Sequence, residues 1–239
     1  MAVSKKTIVL ISGANGGIGL AAATQLAKDY GYHVIIGSRN AEAGSHAAAT
    51  ILAQGYAASS VQLDLDSDHS ISAAVALIEK DLGVLDVLIN NAGVLLDQLQ
   101  EAPLPTRELF RRSLDANVTG AACLTEACLP LLRKSDFARL VFVSSRMGSL
   151  AETLNKQTMY YNTDYKAYDA SKAAMNMLAL NYVRILDGTG ALVNVACPGL
   201  VQTKLTGFTQ YGETVDIGAT RLVQLATANK GGPTEWNVL

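Results

Sequence analysis

The sequence predicts a single α/β domain built on one doubly wound parallel sheet. Two observations carry this prediction. Short apolar runs, each of strand length, alternate along the chain with longer segments of helical periodicity. Every such run also ends in a polar or Gly-rich cluster, and sheets of this kind bind ligands at the carboxyl ends of their strands. At 239 residues the chain is long enough for one large domain with a substantial core, and no Pro-, Gly- or Ser-rich linker divides it.

The first run, Ile8-Val9-Leu10-Ile11, reads as a buried strand. It leads into Ser12-Gly13-Ala14-Asn15-Gly16-Gly17-Ile18-Gly19, after which a helix runs from Leu20 to Tyr30. Strand, Gly-rich turn and helix open a dinucleotide-binding, Rossmann-type unit. The glycines admit a pyrophosphate close to backbone, and the helix N-terminus offers free N–H groups. The glycines Gly13, Gly17 and Gly19 are spaced Gly-x-x-x-Gly-x-Gly rather than Gly-x-Gly-x-x-Gly. The second strand, His33 to Ile36, ends in Gly37-Ser38-Arg39-Asn40 with no acid before Ala41. A carboxylate there suits a bare ribose 2′-hydroxyl, whereas Arg suits a 2′-phosphate. Ser38 and Arg39 therefore point to NADP(H).

A helix is expected over Ala41–Gln54, and a third strand over Ala58–Leu63. That strand ends at Asp64-Leu65-Asp66-Ser67-Asp68, where Asp64 is placed to accept from an adenine amino group. Ser67 or Asp68 caps a helix over Ser70–Leu82. The fourth strand, Asp86–Ile89, ends at Asn90-Asn91-Ala92-Gly93, small residues that allow close ligand approach beside an Asn pair able to tie strand ends together. One long helix is expected over Thr106–Leu132, stopped near Pro130. Asn117 and Gly120 inside it are poor helix formers and suggest an irregularity with a polar purpose. Leu140–Val143 is the fifth strand, ending Ser144-Ser145-Arg146-Met147-Gly148. An entrance loop at 150–167, rich in polar and aromatic residues, precedes the helix that carries Tyr168. The sixth strand, Leu192–Ala196, leads to Cys197-Pro198-Gly199-Leu200-Val201-Gln202-Thr203. A mobile-looking, substrate-side loop at 203–214 follows, then a last helix over Val215–Ala228. The remaining tail is short, so a final strand is expected to be stunted or missing.

Tyr168 and Lys172 are four apart on a helix and so share one face, a phenol beside an ammonium. A nearby cation favours phenolate and is expected to lower the Tyr168 pKa from about 10 toward neutrality. Such a phenol hands a proton to a carbonyl oxygen or takes one from an alcohol. Spacing alone would leave this pair an ordinary solvated helix face; the surrounding motifs raise it.

With these residues assembled, the chain resembles the short-chain dehydrogenase/reductase family over nearly its full length, in its compact single-domain, carbonyl-reductase-like branch. The resemblance rests on the turn at 12–19, Asn90-Asn91-Ala92-Gly93, Asn117, Ser145, the Tyr168/Lys172 pair and Pro198-Gly199, in that order. It implies Tyr168 as general acid/base, Lys172 as its electrostatic partner and ribose ligand, and Ser145 as hydrogen-bond partner of the substrate oxygen. Ser145 is preferred to Ser144 because it precedes Gly148 by three residues. Asn117 would hold a water that relays protons to Lys172. The implied cofactor contacts are Gly13, Asn15, Gly17, Ile18, Gly19, Ser38, Arg39, Asp64, Leu65, Asn91, Ala92, Gly93, Pro198, Gly199, Val201 and Thr203, together with Tyr168 and Lys172. The implied reaction is hydride transfer between NADP(H) and a carbonyl or alcohol carbon. Two departures stand out. The interval from Ser145 to Tyr168 is longer than the family's usual spacing, which implies the entrance loop, and the C-terminal tail is short. Both leave homodimer, homotetramer and monomer open.

The same residues bound the partners. Basic and acidic residues nearly balance, 19 against 21, without a charge run, which argues against nucleic acid. No apolar run approaches the ~20 residues of a membrane span. Cys123, Cys128 and Cys197 lie in apolar patterns without paired spacing and read as reduced core residues. With Met1 to Thr7 running straight into a strand, this implies a cytoplasmic protein. The three His are isolated, and the Asp64/Asp66/Asp68 series lacks the Gly and Glu of a calcium loop, standing as His69 and Val75 at those places, so no metal is expected. Tyr160, Tyr161, Phe208 and Tyr211 either pack the loops onto the domain or line a pocket for an aromatic or polyketide-like ketone. The competing function is a non-catalytic NADP(H)-binding sensor or scaffold, which would have no need to keep Ser145, Tyr168 and Lys172 together. A nucleotide-fold methyltransferase expects an acid where Arg39 stands.

Overall fold

The computed structural model describes residues 6–97 and 103–232. Six parallel strands form one sheet: β1 (Ile8–Ser12), β2 (His33–Ser38), β3 (Ala58–Gln62), β4 (Val87–Asn90), β5 (Arg139–Val143) and β6 (Leu192–Ala196), in the spatial order β3-β2-β1-β4-β5-β6. The chain therefore winds outward from β1 in one direction, then returns and winds outward in the other. The reversal leaves a crevice between the carboxyl ends of β1 and β4, the usual ligand site of such a sheet. The expected short last strand falls in the tail, of which 233–239 lie outside the described residues.

Burial on both faces explains why the strands read as continuous apolar runs. Along β1, Ile8 and Leu10 join one core with Leu88, Phe142 and Tyr182, while Val9 and Ile11 join the other with Leu26, Ile51 and Leu222. Helices α1 (Gly17–Tyr30), α2 (Ala41–Ala53) and α7 (Val215–Ala226) cover the second face. Helices α3 (Asp68–Leu82), α5 (Gly120–Leu132) and α6 (Lys166–Ile185) cover the first, with α4 (Thr106–Leu114) leading into α5. Ser67, rather than Asp68, caps α3 by accepting from the Ser70 N–H.

Two local expectations need correcting. The first helix begins at Gly17, three residues before Leu20, so the Gly-rich turn itself supplies the helix N-terminus. The expected single helix over 106–132 is interrupted by one wide π-helical turn, Asp115–Thr119, centred on Asn117. The helix ends at Leu132, as expected, with Pro130 lying inside α5. Proline removes a hydrogen bond toward the preceding turn rather than the following one, and the buried Leu131 and Leu132 hold the last residues in place. Among the described residues no helix is long and apolar enough to cross a membrane.

Candidate active site

The crevice is walled first by the Gly-rich turn. Gly13 adopts φ +65° and Gly17 φ +56°, both in the left-handed region. A Cβ on Gly19 would stand 2.6 Å from Asn91 Nδ2 and 2.9 Å from the Gly13 carbonyl, so only glycine lets α1 approach this closely. No side chain caps α1, and its first turn carries no acid. Its leading N–H groups and positive dipole end are thus left for an anion, as a pyrophosphate would require. Asn91 ties the crevice together: its Nδ2 donates to the carbonyls of Ser12 (2.8 Å) and Gly13 (3.2 Å). The expectation that both Asn residues bridge strand ends holds for Asn91 only, because Asn90 Nδ2 donates instead to Thr125 Oγ1 on α5 (2.9 Å). Ser12, not singled out from sequence, accepts from the N–H groups of Asn91 and Ala92, both at 3.0 Å.

Around the rim, Arg39 is exposed just past β2, its side chain in the open. Ser38 is buried and donates its hydroxyl to the Asn40 carbonyl at 2.7 Å, so of this pair Arg39 is the one that presents a side-chain donor. Asn15 and Gly17 are exposed; Ile18, in the first turn of α1, packs against the core. Asp64 and Leu65 are half-buried past β3, where Asp64 accepts from the Asp66 N–H (3.2 Å). Pro198 and Gly199 follow β6; Val201 is buried with its side chain against Gly218 of α7. Thr203 closes the far side: its Cγ2 would lie 3.6 Å from a Cβ on Gly17. The loop at 203–214 is better built than its sequence suggests, with a 3₁₀ turn (Lys204–Thr206), Thr206 Oγ1 donating to the Val201 carbonyl at 2.6 Å, and a Val201–Glu213 bridge.

Helix α6 brings up the expected Tyr168/Lys172 pair. Tyr168 and Lys172 lie on one face, with Lys172 Nζ 5.5 Å from the Tyr168 ring centroid. Lys172 is buried, and its ammonium donates to the Val143 carbonyl at the end of β5 (2.8 Å). Burial lowers its pKa to about 8, opposed by the nearby Cys197. The expected lowering of the Tyr168 pKa is not what the protein shows. Burial dominates and raises it; the neighbouring Ser145 side chain works the other way, and Cys197 and Asp169 add to the rise. A cation one helical turn off cannot compensate for removing the phenolate from water.

Ser144 and Ser145 separate cleanly. Ser144 points inward and its hydroxyl donates to the Lys172 carbonyl, whereas Ser145 stands at the start of a 3₁₀ turn, Arg146–Gly148, facing Tyr168. Asn117 is fully buried in the π turn. Its Nδ2 donates to the Val94 carbonyl and Ser171 Oγ (both 2.9 Å), and its Oδ1 accepts from the Val94 N–H (2.7 Å). Both amide hydrogens are thereby spent on structure. Asn117 Oδ1 and Lys172 Nζ nevertheless flank the same spot, 3.1 and 3.6 Å from a Cβ on Gly93.

Cys197 does not sit in the core. It is half-buried past β6 and close enough to bear on both Tyr168 and Lys172. Cys128 is a core thiol, pushed up to about 12 by burial. Among the described residues no cluster of His, Cys, Asp or Glu suits a metal.

Comparison with known proteins places this geometry. The short chain dehydrogenase family model matches residues 7–213. The chain is similar to the short-chain dehydrogenase anuI of Penicillium roqueforti, 35% identical over 240 residues that cover 98% of this chain and 93% of the relative. It is also similar to carbonyl reductase 1 of Mus musculus, 27% identical over 85% of each chain. Among solved structures, salutaridine reductase from Papaver somniferum superposes with a TM-score of 0.81 at 25% identity, covering 96% of this chain and 98% of that one. Matched by the family model through all six strands, and more than a third identical to a member across nearly its whole length, the chain belongs to the short-chain dehydrogenase/reductase family of oxidoreductases.

Proposed function

We propose that the protein is an NADPH-dependent reductase that delivers hydride to a ketone or aldehyde carbonyl, reversibly with the alcohol. One observation carries this reading: Ser145 and Tyr168, far apart in the chain, are brought side by side, with the buried Lys172 Nζ 5.5 Å from the Tyr168 ring centroid. A sensor that only bound the dinucleotide would not need a proton donor, a second hydroxyl and a buried cation at one point.

The uncapped N-terminus of α1 and the close glycines fit a pyrophosphate. Arg39 would take the 2′-phosphate, Asp64 and Leu65 would border the adenine, and Asn91 to Gly93 and Pro198 to Thr203 would flank the nicotinamide side. When bound, NADP(H) supplies or accepts the hydride. The carbonyl-reductase relative named above is specified by name as NADPH-dependent, which supports the same choice.

Within that site the chain's own groups manage the proton. The raised pKa of Tyr168 keeps the phenol protonated at neutral pH, the state a general acid needs. It donates to the carbonyl oxygen as the hydride arrives at carbon, giving the alcohol. Ser145 donates to the same oxygen and holds it in line with the phenol. The Lys172 ammonium stabilises the phenolate left behind and would also bind the nicotinamide ribose. Asn117 fixes the floor between Gly93 and Lys172, where a water would relay the replacement proton.

The substrate class is an aromatic or polyketide-like ketone. Phe208 and Tyr211 are 69% and 77% exposed, so they do not pack the 203–214 loop onto the domain and remain free to face a flat ligand. The test is NADPH oxidation across a carbonyl library, with NADH run in parallel. Turnover with NADPH that disappears in Tyr168→Phe, while NADPH still binds, is the expected result. Full activity in that variant, or tight NADPH binding with no consumption across the library, overturns the reading.

A further inference from the structure

Helix α6 begins without a cap of its own: Tyr165 at its N-cap position makes no side-chain hydrogen bond to the first turn. The N–H groups of Ala167 and Tyr168 are instead taken by Asp97, in the loop after β4. Asp97 Oδ1 accepts from Ala167 at 2.9 Å and Oδ2 accepts from Tyr168 at 3.1 Å. Both carboxylate oxygens are thus used, on two successive amides, one of them belonging to the residue that carries the phenol. A carboxylate is the favoured partner at this end of a helix, since it meets both free N–H groups and the positive end of the dipole.

The same loop is fastened a second time. Val94 gives its N–H and its carbonyl to the side chain of Asn117, which also donates to Ser171. Ser171 lies on α6 one turn beyond Tyr168 and donates to the Tyr168 carbonyl at 2.7 Å. The loop therefore grips α6 on either side of Tyr168, through Asp97 before it and through Asn117 and Ser171 after it. The segment so gripped continues directly from Asn91-Ala92-Gly93, the turn whose Asn91 is tied to the Gly-rich turn of β1.

We infer that Asp97 is a positioning residue for Tyr168, coupling the phenol to the cofactor-side loop through the first turn of α6. The inference rests on the reductase reading for its kinetic consequences, but the placement of the ring is a property of the fold and is measurable without turnover. A shift of the first turn would misplace the phenol relative to Ser145 without touching the Gly-rich turn or Arg39. Displacements on the order of 1 Å are enough to cost ~100-fold in rate. Asp97→Asn keeps an oxygen acceptor for one amide and Asp97→Ala keeps none.

The test uses the full chain with fluorotyrosine incorporated at its nine tyrosines, and the Tyr168 resonance is assigned with Tyr168→Phe. In Asp97→Ala the Tyr168 resonance is expected to shift and broaden while those of Tyr30 and Tyr32, on α1 and before β2, stay put; Asp97→Asn is expected to restore most of it. In the same variants kcat falls by at least ~10-fold in Asp97→Ala with KM for NADPH unchanged, and recovers in Asp97→Asn. An unchanged Tyr168 resonance in folded Asp97→Ala overturns the inference, as does a lower Tm with kcat intact, the mark of a merely structural cap. Absence of turnover in the wild type would sink the reductase reading instead, and the resonance alone then decides the role of Asp97.

Discussion

The Ser145 side chain lies beside the Tyr168 phenol although an entrance loop separates them in the chain, and it is the one influence that lowers a phenol pKa otherwise raised by burial. Neighbouring Ser144 is turned away, its hydroxyl given to the Lys172 carbonyl at 3.4 Å. The two serines therefore predict opposite outcomes. Ser145→Ala should lower kcat on the order of 100-fold, the cost of one donor to a developing oxyanion, with Tm nearly unchanged. Ser144→Ala removes a long, weak bond and should leave kcat within about three-fold. Steady-state rates and thermal melts on the two variants check both halves.

Arg39 is exposed past β2, and the buried Ser38 hydroxyl is already engaged with Asn40. Discrimination for the 2′-phosphate should thus fall on a single side chain. Arg39→Ala should raise KM for NADPH by about 10- to 100-fold, the value of a charged hydrogen bond of roughly 1.5–3 kcal/mol, and leave KM for NADH as it was. Equal losses with both cofactors would show that Arg39 does not select between them.

How much of this was legible depended on distance along the chain. The strands, the Gly-rich turn and the irregularity at Asn117 are written locally, in apolar runs and in an Asn and Gly placed mid-helix, and the π turn appears where those residues stand. Asp97 is not legible, because the cap it gives α6 comes from a loop before α4, α5 and β5, and no nearby residue signals it. The rise in the Tyr168 pKa is hidden from the sequence for a related reason. The cation at i+4 is visible in sequence, but the burial that outweighs it is set by the tertiary packing of the fold, which no local spacing reveals. The apolar neighbours of Cys197 suggest a core position, but it follows the end of β6, where side chains meet the crevice.

Lys172 gives a pH dependence whose direction is fixed. Its pKa is lowered to about 8 because the ammonium is buried, so in the free protein it carries its charge below that pH and loses it above. The buried Tyr168, with its raised pKa, stays protonated through the same range. Since kcat/KM reports groups of the free enzyme, kcat/KM for NADPH in the reductive direction should fall as pH rises through about 8. A profile flat from pH 6 to about 9.5 would show that the charge on Lys172 is not required.

Asp169 supplies a stability test independent of turnover. It follows Tyr168 in the first turn of α6, where a helix dipole favours a negative charge, yet its pKa is raised to about 7. Burial is the largest cause, followed by the carboxylates of Asp97 and Asp164, and its buried Oδ1 has no hydrogen-bond partner. A folded pKa above the unfolded value of 3.8 means that the fold holds this proton more tightly than the open chain does. The stabilisation is complete below about pH 4 and is lost as pH rises through about 7, where the folded protein must accommodate the charge. Asp169→Asn, which cannot ionise, should therefore leave Tm unchanged near pH 4 and raise it at pH 8. The group is half-exposed, so screening keeps the gain to about 1 kcal/mol, or about 2–4 °C. Melting curves of both proteins at the two pH values decide it: an equal difference at both would place the effect in side-chain packing rather than in the proton.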